Sequence, residues 1–137
     1  QFGPANTSQI IQNYSSEEMI ILGEHKVIAI NINDTITRKS KYDAVRHAWR
    51  ISLTRAKKAD FVFAVTHGIC RDIFVVQKWL PSNEKNFPGF PIVEGRYGFV
   101  GKQADKEILD LYLNKRLPFD MQRVKGMASP ILYNYAK

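Results

Sequence analysis

FVFAVTHGICRDIFVVQK, residues 61–78, decides the fold because it holds two apolar runs joined by a pair of turn residues. Apolar and β-branched residues dominate both runs, which is typical of buried strands. Gly68 follows His67 between the runs, and glycine readily adopts the positive φ that a tight hairpin turn needs. The pattern therefore predicts a β-hairpin with strands at 61–66 and 69–78.

One strand and one helix are predicted before this hairpin. Lys26 to Ile32 is a run of apolar and β-branched residues, which predicts a first buried strand. Ser40 and Asp43 have the spacing of an N-terminal helix cap. Apolar residues then recur every three or four positions up to Asp60, which predicts one amphipathic helix with an inward stripe of Tyr42, Val45, Trp49, Leu53 and Ala56.

After the hairpin, the sequence predicts a polar loop, a strand, a second helix and a last short strand. The loop is 81–91, the strand is 92–100, the helix begins at about Gln103, and the last strand is 131–135. In the strand at 92–100, Tyr97 and Phe99 point to one face while Arg96 and Gly98 point to the other. A βαβ array is not expected, because only one helix separates each run of strands.

This order of elements predicts an α+β domain with a curled, mostly antiparallel sheet and two main helices. A PUA-like barrel is one form that such a sheet can take. We assign residues 25–137 to a single α+β domain. Residues 1–24 are polar and are assigned to a loosely ordered N-terminal segment with a short helix.

Length and composition are those of one globular domain. The chain has 137 residues, of which 45% are hydrophobic and 24% are charged. The single cysteine, Cys70, excludes an intramolecular disulfide, provides no zinc-binding pattern and is interpreted as a buried or half-buried structural thiol. No secretory segment and no long apolar run are present, which favours a cytoplasmic protein without a membrane partner.

The positive charge of the chain is concentrated in one segment. Residues 38–58 hold eight basic residues and only Asp43 as an acid, so this segment carries the whole net charge of +7. A focused positive field of this kind is typical of a nucleic-acid-binding surface. Aromatic residues interleaved with basic ones add to the signal, because exposed rings can stack on unpaired bases. The predicted nucleic-acid-binding residues are Arg46, Arg50, Lys57, Lys58, Trp79, Arg96, Lys102, Lys115 and Arg116.

No catalytic constellation is predicted. His25, His47 and His67 are not at metal-ligand spacing, and the chain has neither a P-loop nor a dinucleotide-binding motif. Tyr97 to Lys102 is superficially similar to the second half of a GIY-YIG nuclease signature, but no Gly-Ile-Tyr strand precedes it. The sequence therefore predicts no catalytic residue, no cofactor and no metal site.

Several short stretches together resemble one region of a known group of proteins. They are Tyr42 to Trp49, Arg55 to Val65, Trp79 to Pro81, Gly95 to Lys102, Tyr112 to Arg116, and Gly126 with Ser129 to Ile131. The resemblance is to the region that follows the nuclease module in bacterial GIY-YIG proteins related to the nuclease of LEM-domain ankyrin proteins, and it covers about residues 15–135. It implies association with a GIY-YIG nuclease module. The strand layout is also similar to PUA-like and EVE domains, which recognise RNA or modified bases.

The leading hypothesis is a non-catalytic accessory domain that binds DNA or RNA. In this hypothesis Arg46, Arg50, Lys57 and Lys58 contact phosphates. A cleft formed by Trp79, Arg96 and Lys115-Arg116 admits a base or a single strand. Two alternatives stay open: a small-ligand-binding or hydrolytic enzyme with an unrecognised site, and a protein-interaction domain whose basic helix binds an acidic partner.

Overall fold

Five strands and three α-helices are present in the computed structural model, which describes residues 17–35, 37, 40–121 and 130–136. The elements in chain order are β1 (Val27–Asn31), α1 (Lys41–Arg46), α2 (Leu53–Ala56), β2 (Phe61–Thr66), β3 (Ile69–Pro81), β4 (Tyr97–Gln103), α3 (Lys106–Tyr112), a short 3₁₀ helix (Phe119–Met121) and β5 (Ile131–Tyr133).

The five strands form one mixed sheet with the order β4-β3-β2-β1-β5. All neighbouring pairs are antiparallel except β1 and β2, which are parallel. This confirms the predicted α+β class with a mostly antiparallel sheet, and the described strands do not close into a barrel. The parallel pair makes one βαβ unit, which the sequence analysis did not expect. Residues 32–60 supply more than the dozen or so residues that such a crossover needs.

The hairpin predicted for residues 61–78 is confirmed, with β2 and β3 joined by His67 and Gly68. Both turn residues have positive φ, 51° for His67 and 78° for Gly68, as the favoured two-residue hairpin turn requires. The last two strands are also present, but their bounds differ from the prediction. The strand β4 covers Tyr97–Gln103 instead of 92–100, and β5 covers Ile131–Tyr133 instead of 131–135.

Apolar residues cover both faces of the sheet. Ile28 and Ile30 belong to a buried cluster on the face covered by α1 and α2, while Val27 and Ala29 belong to a second cluster on the face covered by α3. This division follows the two-residue period of a strand. Because each face is buried under helices, β1 and β2 contain nearly continuous apolar runs rather than alternating ones.

The single helix predicted between Ser40 and Asp60 is wrong, because the structure has two short helices with residues 47–52 between them. Trp49 makes two main-chain hydrogen bonds with Tyr97 of β4, of 2.8 and 3.0 Å. These bonds take the place of intrahelical bonds, so the chain leaves the helix after Arg46 and resumes it at Leu53. The inward position predicted for Trp49 is confirmed, since its side chain is buried and its Nε1 donates to the carbonyl of Val45 at 2.6 Å.

The predicted N-terminal segment, residues 1–24, is described only from residue 17 onward. Within that part, Met19 is buried in the cluster beneath α3, and its main-chain NH donates to the carbonyl of Arg116 at 2.8 Å. These residues therefore contribute to the core. The short helix predicted for this segment is not found in residues 17–24, and residues 1–16 lie outside the described residues. The basic residues Arg38 and Lys39 and residues 126–129 of the resemblance also lie outside them.

Candidate nucleic-acid interface

Four exposed cations surround α2 and the neighbouring part of β3, and we call them the basic face: Arg50, Lys57, Lys58 and Lys78. All thirteen Asp and Glu residues of the chain lie in the part that the structure describes. In that part, no carboxylate forms an ion pair with a member of the basic face. The positive charge of this surface is therefore available to an external anion.

Two grooves flank α2, and the first, which we call the tryptophan groove, has a volume of about 340 Å³. Its walls come from the end of α2 and from β3: Ala56, Lys57, Ala59, Val76, Gln77, Lys78 and Trp79. The pairing of β3 with β4 shifts register between Val76 and Lys78. A shift of this kind re-aims side chains, which explains why four consecutive residues of a strand line the same groove.

Trp79 contributes little open ring surface to this groove. The residue is only 8% exposed, and its ring packs edge-to-face on Phe99 with centroids 5.2 Å apart. A base that stacks on an aromatic platform needs an accessible ring face. Trp79 therefore acts mainly as part of the core, and Lys57 and Lys78 supply the chemistry of the groove.

The second groove, which we call the arginine groove, has a volume of about 510 Å³. It combines two cations, three hydroxyl-bearing residues and two aliphatic residues: Arg50, Arg55, Ser52, Thr54, Tyr133, Ile51 and Ile131. Ser52 also caps α2, because its Oγ accepts a hydrogen bond from the main-chain NH of Arg55 at 3.4 Å. The groove therefore lies between α2 and β5 and has no acidic residue in its lining.

Arg55 is fixed at the wall of this groove by aromatic residues of the C-terminal strand and its extension. Its guanidinium carbon lies 3.5 Å from the ring centroid of Tyr133, and its Nη2 donates to the carbonyl of Tyr135 at 2.9 Å. The hydroxyl of Tyr135 in turn donates to the carbonyl of Arg55 at 2.6 Å. These contacts join α2 to the end of the sheet, and none of the ion pairs in the described part of the chain includes Arg55.

We expect Arg55→Lys to lower the free energy of unfolding by about 1–2 kcal/mol, measured by urea denaturation. Lysine keeps the charge, but it lacks the planar group that both stacks on Tyr133 and donates to the Tyr135 carbonyl. Arg50→Lys is the matched control, because Arg50 is exposed and makes no such contacts within the described residues. Equal stability of Arg55→Lys and the unmodified protein would contradict this account of Arg55.

Arg46, a predicted phosphate contact, already has several intramolecular partners. Its Nε donates to Asp43 Oδ1 at 3.0 Å, and its guanidinium carbon lies 5.0, 5.4 and 4.8 Å from the ring centroids of Tyr42, Phe87 and Phe90. Only 17% of its side chain is exposed. The structure therefore separates Arg46 from the open cations of the basic face.

The structure does not assemble the predicted cleft of Trp79, Arg96, Lys115 and Arg116. Arg116 forms a bridge with Ile69 at the first residue of β3, whereas Trp79 lies ten residues further along that strand, roughly 30 Å away if it is extended. Lys115 and Arg116 also pair with Glu17 and Glu18 at 3.4 and 3.6 Å.

Arg96 and Lys102 lie at opposite ends of β4. Arg96 directly precedes the strand, and its carbonyl accepts a hydrogen bond from the main-chain NH of Ser82 at 3.0 Å. Lys102 is exposed opposite Val75. Neither side chain lines the tryptophan groove or the arginine groove.

His47 and Cys70 are both buried in the core. His47 is buried, its Nε2 shares a 2.7 Å hydrogen bond with Ser82 Oγ, and its ring packs on Phe87 and Phe90. Cys70 is buried as predicted, and burial raises the pKa of its thiol well above the usual range. No group of three or more metal-ligating side chains comes together in the residues that the structure describes.

Two residues that line the grooves, Lys78 and Arg55, are not among the binding residues predicted from the sequence. Lys78 joins the basic face although it lies in the hairpin, outside the charged segment 38–58. Arg55 lies in that segment, but the signal for its fixed position is the aromatic pair Tyr133 and Tyr135, which is eighty residues away in sequence. Only the folded chain brings these positions together.

No family model, no curated protein and no solved structure matches this chain. Among the described residues, no helix has both the length and the apolar character required to cross a bilayer.

Proposed function

We propose that this chain is a non-catalytic nucleic-acid-binding domain that holds phosphates at the basic face. The observation that carries the proposal is the set of exposed cations Arg50, Lys57, Lys58 and Lys78, which have no carboxylate partner in the described part of the chain. Phosphate contacts made by Lys and Arg provide most of the affinity in non-specific nucleic-acid binding.

The geometry supports recognition of the phosphate backbone with little preference among bases. Trp79 is mostly covered, so the tryptophan groove offers two ammonium groups rather than a stacking surface. Sequence readout requires contacts to base edges or stacked bases. We therefore expect similar affinities for oligonucleotides of different sequence.

The association with a GIY-YIG nuclease module is a further part of the proposal and rests on the sequence resemblance. A domain that holds the phosphate backbone would raise the local concentration of substrate for an attached or associated nuclease. Cleavage would then belong to that module and not to this chain.

The test is a titration of labelled single-stranded DNA, single-stranded RNA and duplex DNA at several salt concentrations, followed by fluorescence anisotropy. If each cation of the basic face neutralises one phosphate, log affinity should fall with log salt with a slope of about −3 for single strands and about −3.5 for duplex DNA. Lys57→Ala/Lys58→Ala should make the slope shallower by about 1.5, because two phosphate contacts are lost.

Lys106→Ala is the control for loss of positive charge. Lys106 lies on α3, on the opposite side of the sheet, where it pairs with Asp110 at 2.8 Å. The slope should not change in this variant, and neither variant should unfold at a lower urea concentration than the unmodified protein. Absence of binding at low salt would overturn the proposal. Salt-sensitive binding to an acidic protein but not to oligonucleotides would instead favour a protein-interaction domain.

A further inference from the structure

Arg55 carries a positive charge that no described carboxylate balances. Its described partners are the Tyr135 carbonyl and the Tyr133 ring, and its Nε has no hydrogen-bond partner within the described residues. Burial raises the pKa of Tyr133 and raises that of Tyr135 to about 12, so both phenols stay neutral near pH 7 and provide no negative charge. A half-buried guanidinium with only neutral partners is stabilised by any anion that reaches its accessible edge.

The arginine groove brings a second cation and the two aliphatic hydroxyls of Ser52 and Thr54 to the same place. Arg50 is exposed and lines the groove together with Ser52 and Thr54. The two aliphatic residues of the lining, Ile51 and Ile131, have no side-chain acceptor that could compete with an anion for the arginines. Two guanidinium groups supply more positive charge than one diester phosphate balances. A phosphomonoester carries nearly two negative charges near pH 7 and presents three terminal oxygens.

We propose that the arginine groove binds a phosphomonoester, with Arg50 and Arg55 supplying the charge and the hydroxyls of Ser52 and Thr54 donating hydrogen bonds to its oxygens. Such a group occurs at the end of a nucleic acid and in small phosphorylated metabolites. If the ligand is the end of a nucleic acid, the inference rests on the proposed function. If the ligand is a small phosphorylated metabolite, the inference does not depend on that function. The groove volume of about 510 Å³ is within the usual range of small-ligand sites.

The first arm of the test compares oligonucleotides that are identical except for a 5′-phosphate, a 3′-phosphate or terminal hydroxyls. One terminal phosphate should tighten binding about tenfold, as a charge-assisted contact typically does. The gain should shrink when the pH is lowered from about 7.5 to about 5, because the second pKa of a phosphomonoester is about 6 and protonation removes one of its two negative charges.

The second arm uses phenyl phosphate and a nucleoside 5′-monophosphate, each compared with its unphosphorylated form by isothermal titration calorimetry. Binding of these probes identifies a small phosphorylated molecule as a sufficient ligand. Preference for the phosphorylated oligonucleotide without binding of the small probes identifies a nucleic-acid end. Either result supports the proposed groove.

Arg50→Gln and Lys57→Gln separate the groove from the rest of the basic face. Each removes one exposed cation, but only Arg50 lines the arginine groove. Arg50→Gln should abolish the preference for a terminal phosphate, whereas Lys57→Gln should weaken both oligonucleotide forms equally and leave the preference intact. A substitution of Arg55 would be less specific, because Arg55 also joins α2 to Tyr135 and its loss would change stability as well as binding.

The result that overturns the inference is equal binding of phosphorylated and unphosphorylated oligonucleotides together with no binding of the small probes. Oligonucleotide binding in that case still supports the proposed function. The opposite result is also informative. If no oligonucleotide binds but phenyl phosphate binds and Arg50→Gln abolishes that binding, the groove is supported and the proposed function is wrong.

Discussion

Tyr112→Ala is expected to lower the free energy of unfolding by about 3–5 kcal/mol, the largest effect among the substitutions considered. Tyr112 is the last residue of α3 and is fully buried, with its ring 5.3 Å from that of Phe63 in the core beneath that helix. Truncation removes most of the ring contacts and leaves a cavity between α3 and the sheet. Urea denaturation monitored by circular dichroism measures the change.

The hydroxyl of Tyr112 makes a separate contribution, which Tyr112→Phe isolates. It accepts a hydrogen bond from the main-chain NH of Leu22 at 3.1 Å and lies 2.7 Å from Nδ1 of His25. We expect a loss of about 1–3 kcal/mol, because the amide and the imidazole lose a shared partner. Tyr97→Phe is the control, since its hydroxyl makes no hydrogen bond within the described residues. Equal stability of the two phenylalanine variants would contradict this role.

Tyr112 also tests whether the two sides of the sheet are independent. It lies beneath α3, whereas the basic face lies around α2 on the other side. Tyr112→Phe should therefore leave the salt slope of oligonucleotide binding unchanged while lowering stability. A shallower slope would show that the interface depends on the α3 side.

Local sequence signals were sufficient for the strands but not for the first helix. The hairpin at 61–78 has its own turn residues and two apolar runs, so its pairing is encoded within the stretch itself. The break between α1 and α2 depends on two main-chain hydrogen bonds, one donated by Trp49 and one by Tyr97, which are separated by forty-eight residues. Apolar residues spaced three and four positions apart fit one long helix as well as two short ones. Only contacts with a distant part of the chain decide between these two structures.

For the candidate site, too, the sequence is not sufficient, because it does not show which basic residues are exposed. The position of every basic residue can be read from the sequence, and residues 38–58 do contain the excess of positive charge over negative charge. Whether a cation is open depends on distant partners: Lys115 and Arg116 meet Glu17 and Glu18, nearly a hundred residues earlier. Charge density therefore predicts a basic surface but not which of its members face solvent.

Arg46 is the residue for which the sequence interpretation and the geometry lead to opposite expectations. We expect Arg46→Ala to lower the free energy of unfolding by about 2–3 kcal/mol, because its guanidinium packs on three aromatic rings and pairs with Asp43. Arg46→Lys should lose about half as much, since the ammonium group keeps the charge without the planar stacking surface.

Oligonucleotide binding by the same variants decides between the two roles. A cation enclosed by rings and a carboxylate releases no counter-ion on binding, so Arg46→Ala should keep the salt slope at a temperature where it stays folded. Arg50→Ala should show the reverse pattern, with unchanged stability and a slope that is shallower by about 0.7–0.9. If Arg46→Ala instead loses that slope and keeps its stability, Arg46 contacts phosphate, and its contacts in the free protein must open when nucleic acid binds.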